Sequence, residues 1–208
     1  SIYRVFDKYD VDAVMHFGAY AYVGESMTKA NEYFQNNFIG GFHLLNAMRV
    51  HEVNRIVFSS TCATYGTVKE VPIPESHPQD PINPYGRSKL AFEQLLKSYG
   101  QSYGIRYAIL RYFNAAGATD RLGEDHKPET HLIPLVLQVA LGQREDITIL
   151  GMDYDTPDGT CIRDYIHVSD LASAHISALD HIRKENIICN LGTGLGFSVL
   201  EVIETARR

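Results

Sequence analysis

Cysteine is scarce, a basic excess is absent, and no apolar run is long enough to cross a bilayer; each shortage removes a class of protein. Cys62, Cys161 and Cys189 form no C-x-x-C pair and leave an odd count. That argues against a disulfide framework or a structural zinc site, and a reducing, cytoplasmic setting is expected. The apolar stretches break well before the ~20 residues a spanning helix needs. No basic segment followed by an apolar one opens the chain, so neither membrane insertion nor secretion is expected. The net charge of −6 and isoelectric point near 5.8 lack the footprint of a nucleic-acid binder. Any anionic ligand must then be held by locally placed donors. What is plentiful is hydrophobic sequence, 45% of 208 residues, which can bury the core of one domain or of one domain plus part of another.

The pattern alternates between short apolar runs and amphipathic stretches. IYRVFDKYDVDAVMHFGAY reads as a helix end running into a buried strand at 12–17, followed by a helix over 31–51, a strand at 55–59, a helix over 84–102 and a strand at 106–113. Strands separated by amphipathic helices imply an α/β fold with a parallel sheet. Beyond Gly117 come a polar loop, RLGEDHKPETH, a helix over 132–141 closed by Gly142, and a short strand, ITILG. YIHV then reads as a strand and SDLASAHISALDHI as a helix, with Ser169 or Asp170 as its N-cap. The last unit is IICNLG, a glycine turn and the helix SVLEVIETARR. Because Ser1 is no start methionine and the last helix closes on two arginines without a cap, both ends are expected to be internal to a longer protein.

Tyr85-Gly-Arg-Ser-Lys89 places a phenol and an ammonium one helical turn apart on the same face. An adjacent ammonium stabilises phenolate and lowers its pKa from ~10, which suits a general acid/base. The same spacing also arises by chance on solvated helices. Pro84 sets the first helical turn directly before the tyrosine. Ser59, Ser60 and Thr61 lie at the C-terminal end of a strand, where open parallel sheets bind ligands; they suit either a substrate hydroxyl or a turn that satisfies its own backbone. His16-Phe17-Gly18-Ala19 ends another strand with small residues that allow close backbone approach, and Asn114 follows ILRYF. Gly192-Thr-Gly-Leu-Gly196 imitates a dinucleotide fingerprint, but its third glycine comes too early, so a tight structural turn is expected. His126 and His131 are five apart with no companion ligands evident, and no metal site is expected.

HFGAYAYVGES, EYFQNN, FSSTCATYG, NPYGRSK, LRYFNAAGA, DGTCIRDYIHVSDLA and NLGTGLGFSVLEVI together resemble, in order, the motifs of the UDP-glucose 4-epimerase family of extended short-chain dehydrogenase/reductases. The resemblance implies a Rossmann-like doubly wound parallel sheet over 1–115 and part of a smaller α/β substrate-binding domain over 116–208, the segment 165–183 being assigned to either. It implies NAD as a retained cofactor, a UDP-sugar as substrate, and reversible inversion at C4 of UDP-glucose and UDP-galactose through a 4-keto sugar. By motif, Tyr85 matches the acid/base, Lys89 the residue that binds the nicotinamide ribose and lowers the tyrosine pKa, and Thr61 the hydroxyl that contacts the sugar. Phe17, Gly18, Ala19, Asn36 and Phe113 match positions lining NAD; Asn114, His131, Leu132 and Arg163 match positions holding UDP. Arg163 suits a diphosphate, and equally a salt bridge with Asp164.

Two departures stand out: His131 where some members have Asn, and Ala21 where some have Lys. The family's glycine-rich pyrophosphate loop is expected upstream of residue 1 and further UDP contacts downstream of Arg208, so the chain alone is expected to be inactive. A 4,6-dehydratase shares the first oxidation but typically carries Asp-Glu where this chain has Cys62 and Ala63. A nucleotide-binding module without catalysis is the other alternative; retention of Thr61, Tyr85 and Lys89 argues against it for the complete protein, while for the 208-residue chain by itself that reading stands. The resemblance also implies a homodimer built on helices 31–51 and 84–102, with Phe38, Phe42, Leu45, Phe92, Leu95 and Leu96 as apolar surface or, alternatively, as packing on the sheet.

Overall fold

The computed structural model describes residues 2–208, so the reading of Ser1 lies outside the described residues. In chain order the first elements are α1 (Tyr3–Lys8), β1 (Val14–His16), α2 (Val23–Ser26), α3 (Ala30–Tyr33), a π-helical segment (Phe34–Ile39), α4 (Gly40–Val50), β2 (Arg55–Thr61) and a 3-10 turn (Cys62–Thr64). There follow α5 (Pro84–Tyr103), β3 (Arg106–Tyr112), β4 (Asn114–Ala116), α6 (Leu132–Ala140), β5 (Ile162–Arg163) and β6 (Tyr165–His167). The last are α7 (Val168–His181), β7 (Ile187–Leu191), β8 (Phe197–Ser198) and α8 (Val199–Ala206). Two compact units emerge, Ser1–Tyr112 with Ala172–Leu191, and Phe113–Leu171 with Gly192–Arg208.

The first unit is a parallel sheet in the order β1-β2-β3-β7. Successive side chains of a strand point to opposite faces, and both faces here are apolar. Ile56, Phe58 and Ile109 pack with Leu45 and Met48 of α4 and Phe92 and Leu96 of α5. Val57, Ala108 and Leu110 face the other way, onto Ala178 of α7 and Ile182 just beyond it. Helices therefore cover both faces of a parallel sheet, the doubly wound Rossmann-like arrangement. Each fully buried Leu, Ile or Phe contributes ~1.5–3 kcal/mol. The face under α4 and α5 holds more of them, so α5 is seated on the larger core.

Several expected elements differ. β1 is shorter than the strand read at 12–17 and only half-buried, because it lies at the edge of the described sheet. The helix read over 31–51 is interrupted by the π segment. ITILG forms no strand: Ile147 and Ile149 are partly buried and Thr148 and Leu150 exposed, as in a strand, but no neighbouring strand pairs with them among the described residues. Ser169 and Asp170 lie inside the first turn of α7, and the His167 ring takes the Ser169 N–H at 3.1 Å in place of an Asx or Ser cap. Leu45, Phe92 and Leu96, offered as contact surface, are buried in the core; of that group only Phe42 is exposed. Among the described residues no helix is long and apolar enough to cross a membrane.

In the second unit β4 pairs with β6 in parallel and β5 with β8 antiparallel, while α6 packs against α8. α8 opens on a capping box: Ser198 Oγ accepts the Glu201 N–H and the Glu201 carboxylate accepts the Ser198 N–H. The Ser198 hydroxyl in turn donates to Asp158.

Candidate active site

The end of β2 and the start of α5 are brought together by two local features. Asn83 caps α5 by accepting the Gly86 N–H at 2.8 Å, and Pro84 occupies the first turn. A Cβ on Gly86 would lie 2.5 Å from the Ala63 carbonyl oxygen, so only glycine lets this turn rest on the one that follows Thr61. The Tyr85 phenol is thereby brought beside Thr61, which favours its ionised form. One turn on, Lys89 is buried, donates to the Ser59 carbonyl at 2.8 Å and lies 4.8 Å from the centre of the Phe58 ring. The structure thus brings together Thr61, Tyr85 and Lys89.

Their electrostatics depart from expectation. Burial pushes the Tyr85 phenol well above its usual range, and Thr61 beside it only partly offsets this. The expected lowering by Lys89 is not seen, because that ammonium is directed at the Ser59 carbonyl. Burial also lowers Lys89 from 10.5 to about 8, with Glu93 opposing. His16 falls to about 4, through burial and then the Lys89 charge. It is a neutral ring at pH 7, stacked at 5.6 Å on Phe58.

Sequence reasoning missed the groups behind these residues. Ser59 Oγ meets His175 Nε2 at 3.0 Å, and Ser60 Oγ donates to Glu93 Oε1 at 2.5 Å. Glu93 is also bound bidentately by Arg111, Nε to Oε1 at 3.0 Å and Nη2 to Oε2 at 2.6 Å, with both side chains buried. Asn37, in the π segment, clamps Tyr20 by accepting its N–H at 2.8 Å and donating to its carbonyl at 3.0 Å, and donates to Ser88 Oγ at 3.0 Å. A signal existed for Glu93, which follows Lys89 at the same four-residue spacing. None existed for His175, and Asn37 and Arg111 were marked only by lying within EYFQNN and LRYFNAAGA, because their partners are distant in sequence.

A cavity of about 790 Å³ opens beside this cluster, lined by His16, Gly18, Ala19, Tyr20 and Asn36 among others. A Cβ on Gly18 would meet nothing within 4 Å, so the backbone there is bared to a ligand. Phe17 is exposed, its ring 4.9 Å from that of His175. Of the positions expected to line NAD, this unit therefore gathers Gly18, Ala19 and Asn36 on one cavity, with Phe17 adjoining in sequence.

The remaining candidates, Phe113, Asn114, His131, Leu132 and Arg163, belong to the second unit. Asn114 is partly spent on structure: its N–H and its side-chain amide both donate to the Asp164 carbonyl, at 3.0 and 2.9 Å. His131 is the N-cap residue of α6 and Leu132 its first residue. Arg163 is exposed and forms no ion pair with Asp164. The Asp164 carboxylate instead accepts the N–H and hydroxyl of Thr193 and the N–H of Gly194, each at 2.9 Å. Gly192 approaches so closely that a Cβ would come 2.5 Å from Asp164 Oδ2. The glycine turn is thus held by a carboxylate, and Arg163 is left available to an anion.

His126 and His131 do have companions, contrary to expectation: Glu124 and Glu129 gather with them. The His131 Nδ1 lies 2.8 Å from both carboxylates. Glu129 also accepts the N–H groups of Thr130 and His131. These are hydrogen-bond separations. Each histidine thus has a carboxylate within hydrogen-bonding distance.

Residues 1–192 match the model of the NAD dependent epimerase/dehydratase family. UDP-glucose 4-epimerase of Halalkalibacterium halodurans is 55% identical over 208 residues, covering 98% of this chain and 62% of that protein. Among solved structures, UDP-glucose 4-epimerase from Brucella ovis in complex with NAD superposes with a TM-score of 0.95 at 49% identity, covering 98% of this chain and 64% of the other. The Bifidobacterium longum enzyme, in complex with NAD+ and UDP, gives 0.93 at 47% identity, covering 98% and 62%. The chain spans about three fifths of the length of the relatives it matches.

Proposed function

We propose, from the premise that this chain belongs to the NAD dependent epimerase/dehydratase family, that the complete protein containing it interconverts UDP-glucose and UDP-galactose by reversible inversion at C4. The observation that carries this proposal is the meeting of Tyr85 with Thr61, and of Lys89 with Ser59, where β2 ends against α5. Support also comes from relatives named UDP-glucose 4-epimerase at 50–55% identity.

In this proposal Tyr85 takes the proton of the 4-hydroxyl and later returns it, while Thr61 holds the sugar oxygen beside the phenol. A buried phenol resists ionisation, so positive charge must accompany the proton's transfer. Lys89 carries part of it below about pH 8. The bared backbone at Gly18 and Ala19, with Asn36 on the same cavity, fits a flat, charged dinucleotide; Phe17 and Phe113 are assigned to the same role, and Lys89 to the ribose. When bound, NAD would accept the C4 hydrogen as hydride and return it. Arg163, exposed and unpaired with Asp164, is assigned to the diphosphate, and Asn114, His131 and Leu132 to the rest of the UDP group.

Incubating the complete protein with UDP-galactose, without added sugar acceptor, should yield UDP-glucose in a coupled dehydrogenase assay. Absence of UDP-glucose in the presence of saturating NAD would refute the proposal. A cytoplasmic, homodimeric protein is the accompanying proposal; its support is that none of the three cysteines is in a disulfide, and the exposed Phe42 and Tyr103 on α4 and α5. Sedimentation of the complete protein as a monomer at micromolar concentration would count against the dimer.

A further inference from the structure

Tyr85, Lys89 and Glu93 follow one another at four-residue intervals along α5, and each meets the last three residues of β2. Tyr85 stands beside Thr61, Lys89 donates to the Ser59 carbonyl and Glu93 accepts from the Ser60 hydroxyl. Both carboxylate oxygens of Glu93 are doubly engaged: Oε1 by Ser60 and Arg111 Nε, Oε2 by Arg111 Nη2 and Gln79 Nε2 at 3.1 Å. Ser60 and Arg111 are themselves direct partners in the parallel register of β2 and β3. The guanidinium continues through Nη1 to the Tyr65 hydroxyl at 2.9 Å and the Glu75 carbonyl at 3.2 Å, and Tyr65 donates to Asn190 of β7 at 2.7 Å.

We propose that the buried Glu93–Arg111 pair is a positioning device for the reaction, fixing the axial and rotational setting of α5 on β2 and with it the placement of Tyr85 and Lys89 against Thr61 and Ser59. The proposal rests on the function proposed above. A buried ion pair is a poor stabiliser, since desolvation offsets its attraction, and an apolar pair could fill the same space. What the fork of Arg111 provides is direction: two parallel bonds that tolerate little rotation of the carboxylate. A slide of α5 along the strand would break the Ser60, Gln79 and Arg111 bonds together. Small misplacements of reacting groups cost large factors in rate, which gives such a clamp its effect. The pair also reaches Lys89 electrically. The groups around that ammonium are Glu93 on its own helix, the Ser59 carbonyl and Phe58 ring of β2, and His16 of β1; Arg111 of β3 acts by neutralising Glu93.

The test uses the complete protein. Glu93→Gln keeps the shape and removes the charge; kcat should fall ~10-fold or more, while KM for UDP-galactose stays within ~3-fold. The alkaline limb of kcat should move to lower pH, because an ammonium deprived of Glu93 loses its proton sooner. The same shift should appear in the titration of Lys89 followed by NMR at its ε-carbon, with thermal melting confirming that the variant is folded. A folded Glu93→Gln protein with the parent kcat and limb overturns the proposal. So does a lower kcat with an unmoved limb and unmoved Lys89 titration, which is what a merely structural role produces. If Glu93→Gln does not fold, Ser60→Ala and Arg111→Lys decide, since both leave the net charge in place: kcat several-fold lower at unchanged KM supports the clamp, and parent-like kcat in both overturns it. If the unaltered protein epimerises nothing, the proposed function fails, and the Lys89 titration in Glu93→Gln still decides for or against the clamp.

Discussion

Around the end of β2, Ser59, Ser60, Thr61, Lys89 and Glu93 are buried and bonded across three elements of the first unit, whereas in the second unit Arg163, Glu124, His126 and His131 stand largely in solvent. The buried group finds its partners far away in sequence, Ser59 with His175 and Ser60 with Glu93. The exposed group finds them within a few residues, His131 with Glu129 and Arg163 with the Ile162 carbonyl. The difference matches the roles proposed above for the two regions. Proton transfer needs donors and acceptors fixed before a ligand arrives, while a diphosphate can be gripped by side chains that turn to meet it. Changes in the first region should therefore strike turnover and those in the second should strike affinity.

The sharpest break of that contrast is Tyr85→Phe in the complete protein. It keeps the ring's packing and removes the transferable proton, so turnover should fall by ~10²-fold or more with UDP binding little changed; parent-like turnover would remove Tyr85 from the chemistry. Next comes pH. Lys89, lowered to about 8 by burial, loses its charge as pH rises through that value, so kcat should decline on the alkaline side with a limb near 8. Lys89→Arg keeps the charge at higher pH; its rate should be lower and its limb gone, and a limb that persists would belong to another group.

In the second unit, Arg163→Leu removes charge-assisted bonds to phosphate worth ~1.5–3 kcal/mol, so UDP should bind roughly tenfold weaker or more by calorimetry, with kcat little altered. A larger loss in kcat than in affinity would erase the contrast between the units. Gly86→Ala forces a methyl against the Ala63 carbonyl and should cost about 1–3 kcal/mol of stability by denaturant unfolding, moving Tyr85 from Thr61 as it does so. Smallest is Ser198→Ala, which removes the α8 cap; about 1 kcal/mol of stability should go, without loss of turnover.

The doubly wound sheet was legible in sequence because its strands and helices carry their own periodicity, and α5 because Pro84 and the Tyr85 and Lys89 spacing mark its start. ITILG misled because alternation says which side chains turn inward and not whether a partner strand is present. The π segment left no mark in the apolar pattern of 31–51. Tyr85 and Lys89 stood out by spacing and Thr61 by its place at a strand end, but the direction of the Tyr85 shift was not legible, since burial is a property of the assembled fold. Whether Arg163 pairs with Asp164 was undecidable from neighbours alone; Asp164 turned out to hold Thr193 and Gly194, about thirty positions away in sequence.

The central claim is that the hydrogen at C4 leaves the sugar and returns to it without entering solvent, handled at the site formed by Thr61, Tyr85 and Lys89. UDP-galactose deuterated at C4, given to the complete protein in ordinary water, tests it most directly through the mass and NMR spectrum of the product. The account predicts UDP-glucose that retains the deuterium at C4. UDP-glucose carrying hydrogen there would mean that C4 exchanges with solvent as a proton, and would contradict it.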